Sequence, residues 1–167
     1  MNRIINLTEE NVVNALLEGA GLSSFIFHTH FQLAFSCDTN KKFGEKKIPW
    51  EVTLTVLGDW WFGNKEKWDA MVRKMTDGFH FVEPAEPVLA FKLAALRWMD
   101  GSTISSVKLT REKIEILFEC GESITILNRN DSQGDYPWEI SACGNKDADN
   151  CWSVICDEGE IYYSIPI

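Results

Sequence analysis

His28 and His30, in His28-Thr29-His30, have the spacing that comes nearest to metal chemistry in this chain. Residues two apart in a strand share a face. Two imidazoles on one face hold a metal only when a third and usually a fourth ligand join them. His80 is the one other histidine, no Glu stands at the expected few-residue spacing, and Gln32 is a poor substitute. The pair reads as polar residues on the solvent side of a half-exposed strand.

Other chemistries lack their parts. There is no Gly-x-Ser-x-Gly elbow, and no cysteine sits in a basic surround that would favour a thiolate. Gly19-Ala20-Gly21 has neither the third glycine nor the preceding strand of a dinucleotide loop, and no Gly-Lys-Ser/Thr occurs. Asp147 and Asp149 share a loop without the apolar neighbours that general-acid work requires. The expectation is no catalytic residue, no bound metal and no cofactor.

Charge points to a partner instead. The net charge of −9 argues against direct nucleic-acid or anionic-membrane binding. Residues 129–167 hold two basic side chains, Arg129 and Lys146, against eight acids. Asp131, Asp135, Asp147, Asp149, Asp157, Glu158 and Glu160 are the acids expected to face a basic partner; the bland alternative is solvated loops that keep the chain soluble. Trp60-Trp61-Phe62 cannot all be buried on one face of a strand. Trp60 and Trp61, with Tyr162 and Tyr163 beside the Asp157–Glu160 turn, are therefore the anchor candidates.

Five cysteines, an odd number without a Cys-x-x-Cys, imply buried thiols rather than a disulfide framework. No apolar run approaches the length of a membrane span. Residues 1–10 carry no apolar signal region, so a cytoplasmic location is the expectation.

These residues are held by elements that the hydrophobic period reveals. Thr8 with Glu9 and Glu10 opens a helix whose Val12, Val13, Leu16 and Leu17 form a stripe before Gly19 stops it. From Ser24 to Ser36 the period becomes two, with Phe25, Phe27, Phe31, Leu33 and Phe35 on one face. A polar connection over 41–47 leads to a strand with Val52, Leu54 and Val56 inward. Asn64 caps a second helix with the stripe Trp68, Met71, Val72 and Met75, and Pro87 starts a third that ends near Met99. Short strands follow at 103–109, 113–119, 123–128, 137–142, 152–156 and 161–165, parted by turn signals.

The halves echo each other at an offset of 82. Residues 16–24 (LLEGAGLSS) match 98–106 (WMDGSTISS). After one inserted residue, Phe31, Leu33, Phe35 and Cys37 fall opposite Ile114, Ile116, Phe118 and Cys120. Pro49-Trp50-Glu51 finds a counterpart in Pro137-Trp138-Glu139, and both tryptophans are expected in the core. The expected fold is one α+β domain over 1–167, mainly antiparallel sheet, with about three helices. It consists of two helix–strand–strand units, 8–62 and 87–143, with a helical insert 64–99 that overlaps the start of the second.

The strand pair 113–127 (KIEILFECGESITIL), the Trp138-Glu139-Ile140 strand and the closing segment 152–166 resemble the small β-rich immunity proteins of bacterial contact-dependent and polymorphic toxin systems. Residues 16–56 echo the pattern, whereas the insert 64–99 departs from it. The resemblance implies a cytoplasmic, non-catalytic protein that neutralises one cognate protein toxin, with a basic nuclease as the expected kind, by covering its active site or an exosite. It carries over no functional residue by motif. The alternative is a small-ligand or metal site between the two units, with His28 and His30 as its polar groups.

Overall fold

The computed structural model of the chain describes residues 8–28, 30–129, 136–143 and 151–166. The order is α1 (Glu9–Leu17), β1 (Gly21–Phe27), β2 (Phe31–Ser36), β3 (Lys42–Phe43), β4 (Lys46–Lys47), β5 (Glu51–Val56) and β6 (Trp60–Phe62). Then come α2 (Lys65–Thr76), α3 (Ala85–Arg97), β7 (Ile104–Leu109), β8 (Lys113–Phe118), β9 (Ser123–Leu127), β10 (Trp138–Cys143), β11 (Cys151–Asp157) and β12 (Glu160–Ser164). This is an α+β fold dominated by antiparallel pairing.

Helix α1 starts where its chemistry says it should. The Thr8 hydroxyl accepts from the Asn11 N–H, Glu9 and Glu10 sit at the positive end of the dipole, and all four stripe residues are buried. Its C-terminal carbonyls are met by Lys41, whose ammonium donates to the Glu18 and Leu16 oxygens. Burial pulls the Lys41 pKa down and pushes the nearby Cys37 thiol up.

Six strands form one sheet in the order β1-β2-β5-β10-β11-β12, and four form another in the order β6-β9-β8-β7. Strands β2, β8, β10 and β11 alternate inward and outward residues cleanly, the mark of a sheet with one buried face. The buried faces of both sheets join α1 and α3 in a single apolar cluster. At one corner the chain passes between sheets twice, from β5 to β6 and from β9 to β10. There the Leu57 and Gly58 amides both donate to the Pro137 carbonyl, and the Leu127 amide donates to that of Asp59. Gly58 lets the two segments approach closely at this corner, since a Cβ there would stand 3.0 Å from the Pro137 Cβ.

Asn128, fully buried, ties that corner together. Its side-chain amide donates to the Thr110 carbonyl at 2.9 Å, and its Oδ1 accepts from the Trp138 indole N–H at 2.8 Å. The Cys156 thiol reaches the Asn128 carbonyl at 3.6 Å.

Several expectations need correction. Trp138 is completely buried, but Trp50 is 59% exposed, so the two Pro-Trp-Glu segments do not share a packing role. Pairing gives the reason: β5 follows β2 as its neighbour, whereas the strand beside β8 is β9, and β10 instead pairs with β5 and β11. The polar connection 41–47 folds into the β3–β4 hairpin, turned by Gly44 at φ 65°. Cys143 and Cys151, expected as free thiols, form a disulfide at the end of the β10–β11 ladder where the chain passes from one strand to the next. Their register explains it, since the two residues face each other as the last pair of that ladder.

Candidate functional site

His28 and His30 do not share a strand face. They lie in the turn between β1 and β2, where the His28 amide donates to the His30 carbonyl. Among the described residues no group of three or more His, Cys, Asp or Glu is placed to hold a metal ion.

Of the acids expected to meet a partner, Asp131, Asp135, Asp147 and Asp149 lie outside the described residues. Asp157, Glu158 and Glu160 are brought together by the β11–β12 hairpin. Its two-residue turn needs φ above zero at both central positions, met by Glu158 at 49° and Gly159 at 82°. Three carboxylates therefore stand on one exposed tip. Tyr162 stands beside them, its hydroxyl donating to a Glu160 carboxylate oxygen at 2.8 Å. That hydrogen bond, and then the charge of Glu160, hold the phenol above its usual pKa.

Trp60 and Trp61 are elsewhere, on the edge strand of the four-stranded sheet, and point to opposite faces. Trp60 is half-buried between Phe31 and Trp68, with ring centroids 5.5 Å from each. It closes the rim of the core and is not a free anchor. Trp61 is half-buried on the other face, with the Lys65 ammonium 5.5 Å from its ring centre.

Several large exposed apolar side chains belong to residues that the sequence pattern did not single out. Phe79 is 67% exposed, Val82 96% and Phe91 63%, and Phe81 is also exposed. All stand on or between α2 and α3. The Phe79 and Phe81 rings lie 5.8 Å apart. Phe81 and Val82 join Phe27, Pro87 and Ala90 around a shallow cleft of about 520 Å³ whose rim carries Glu83 and Glu86. A signal was available: Phe79-His80-Phe81-Val82 is an apolar run between Gly78 and Pro84 with no helical or alternating continuation to bury it.

Chemically this surface offers a place to bind, and His28 stands among the residues that line its cleft. It offers aromatic contact area, two flanking carboxylates and, on a separate tip, the acidic hairpin. No helix among the described residues is long and apolar enough to cross a membrane. No protein-family model, curated protein or solved structure matches the chain.

Proposed function

We propose that this chain is a non-catalytic binding protein that neutralises a cognate protein toxin through tight association with a basic surface of that toxin. The toxin class comes from the resemblance of the strand pattern to immunity proteins. The observation that carries the binding reading is the exposed group of Phe79, Phe81 and Val82 between α2 and α3, with Phe91 exposed on α3 as well. Contiguous apolar surface rimmed by polar residues is what protein interfaces present, because solvating it costs free energy that a partner recovers.

Charge selects the partner. Glu83 and Glu86 rim the cleft in a chain of net charge −9, so a cationic amphipathic surface is complementary to it. The acidic hairpin tip at Asp157–Glu160 adds long-range attraction, which speeds encounter more than it tightens the complex. We assign this action to the cytoplasm, as the resemblance implies. Cys143 and Cys151 would be reduced there, and the β10–β11 ladder would hold by its register alone.

The test is genetic and physical together. The C-terminal region of the reading frame immediately upstream in the source genome is expressed under tight control, with and without this chain. The expected result is toxicity, rescue of growth, and a stable co-purified complex. Replacing Phe79→Ser together with Phe81→Ser should abolish rescue while leaving the circular-dichroism spectrum unchanged. Toxicity that this chain neither relieves nor binds overturns the reading.

A further inference from the structure

The outer face of the four-stranded sheet carries a second surface of opposite character. In the cross-strand register Trp61 faces Thr125, and Thr125 faces Glu115, so these three side chains form one row across β6, β9 and β8. Ile114, Ile116, Ile124 and Ile126 occupy the alternate positions and are fully buried. Lys113, Ser123 and Thr125 therefore fall on the outward side. The first turns of α2 form one wall, and Lys92 reaches in from α3. Between them lies a groove of about 780 Å³.

Four lysines line this groove, Lys65, Lys67, Lys92 and Lys113, against two carboxylates, Glu115 and Glu122. That is a local excess of positive charge in a chain of net charge −9. Two of the four are already engaged: Lys65 pairs with Asp69 at 2.9 Å, and Lys113 with Glu115 at 3.5 Å. Among the described residues Lys67 and Lys92 have no carboxylate partner. Aromatic rings hold two of the ammonium groups in place, Lys65 over Trp61 and Lys92 over Phe62 at 5.6 Å. The groove also receives the positive end of α2, where Asn64 caps the helix by accepting from the Lys67 amide.

We infer that this groove binds a small phosphorylated ligand bearing a flat ring, the chemistry of a nucleoside diphosphate. The phosphates sit between Lys67 and Lys92, near the start of α2, where unpaired cations and the helix dipole add. The ring lies against Trp61, on the side of its half-buried indole away from the Lys65 ammonium. The Ser123 hydroxyl, half-buried on the floor, is the polar group that orients the ligand. The volume is in the range of small-molecule sites and accommodates a mononucleotide. This site is separate from the apolar cleft on the other side of α3 and does not depend on the toxin reading.

The experiment is isothermal titration of the full chain with three probes: ADP, inorganic pyrophosphate and adenosine. ADP should bind with a dissociation constant in the micromolar range. Pyrophosphate should bind about tenfold more weakly, and adenosine should give no measurable heat. The double variant Lys67→Gln with Lys92→Gln should weaken ADP at least tenfold, and raising sodium chloride from 50 to 500 mM should weaken it similarly. Trp61→Leu should bring ADP down to the pyrophosphate affinity, its fold checked by circular dichroism. Absence of ADP binding, adenosine binding as well as ADP, or ADP affinity indifferent to the lysine pair would each overturn the assignment.

Discussion

Gly21 and Thr103, 82 positions apart, face each other across an isolated antiparallel bridge that joins the two sheets. The Gly19 amide donates to the Ile104 carbonyl at 2.8 Å, and the Ile104 amide to that of Ala20 at 2.9 Å. The same offset relates features on either side of the bridge. Ladder β1–β2 slips between Leu22 and Ser24, and ladder β7–β8 slips between Ile104 and Ser106. At the bulged residue Ser23 donates to the Ala34 carbonyl at 2.9 Å, and Ser105 to the Leu117 carbonyl at 3.1 Å. The helices are exchanged: α1 packs on β7, while α3 packs on β1. Each helix packs chiefly on the strand that the other leads into, so the two halves bury apolar surface together.

Gly19 and Gly101 are related by this offset and have nearly the same backbone, with φ of 77° and 79°. Their surroundings differ. A Cβ on Gly19 meets nothing within 4 Å, whereas one on Gly101 would stand 2.9 Å from the Cys120 amide nitrogen. Gly19→Ala should therefore cost about 1 kcal/mol for the left-handed backbone alone. Gly101→Ala should cost roughly 1 kcal/mol more, because backbone must move as well. Urea midpoints of the two variants decide it, and equal losses would mean that the approach to Cys120 carries no energetic weight.

Asn128 sits where four segments meet, and its side chain satisfies two buried groups. Asn128→Ala leaves the Trp138 indole N–H and the Thr110 carbonyl without their partner. An unpaired buried donor costs about 1–3 kcal/mol, so the variant should lose roughly 2–3 kcal/mol in chemical denaturation. A loss below about 0.5 kcal/mol would show that water or repacking replaces the amide.

Which parts of this fold could be read from sequence follows from how local each signal is. The strands over 104–127 were legible because inward Ile114, Ile116, Phe118, Ile124 and Ile126 alternate with polar residues on both sides of a Gly121 turn. The pairing of β10 with β5 was not, since it joins residues more than 80 apart with no local mark. The likeness of Pro49-Trp50-Glu51 to Pro137-Trp138-Glu139 therefore misled. Trp50 precedes β5 at a solvent-facing bend, while Trp138 begins β10 and packs inward. The aromatic arm was missed because helix stripes predict what is covered, and nothing among the described residues covers Phe79 or Phe91. Trp50→Ala should accordingly change stability by under about 1 kcal/mol, and Trp138→Ala should cost about 3–5 kcal/mol. Comparable losses in urea would contradict this placement.

The Cys143–Cys151 bond closes a short loop, eight residues apart in sequence. Closing so short a loop restricts the unfolded chain enough to contribute about 2–3 kcal/mol. Dithiothreitol should lower the urea midpoint by that equivalent, and the paired variant Cys143→Ser with Cys151→Ser should match the reduced protein without responding to reductant. A midpoint that reductant leaves in place would mean that the hairpin register alone fixes this end.

Cys156 makes stability depend on alkaline pH. Its thiol is fully buried, and desolvation, the dominant cause, pushes its pKa from 9.0 to about 11. Below pH 9 the thiol is protonated in both states, so this contribution is complete. Between pH 9 and 11 the unfolded chain ionises while the folded one does not, and stability falls, by about 2–3 kcal/mol over the two units. Cys37, also raised, acts in the same direction, whereas buried Lys41, with its pKa lowered, acts in the opposite one. The difference between the parent chain and Cys156→Ala isolates the effect. Denaturation midpoints at pH 8 and pH 10.5 should converge as pH rises, because only the parent loses the thiol's contribution. A constant gap between the two proteins would show that Cys156 ionises as readily folded as unfolded.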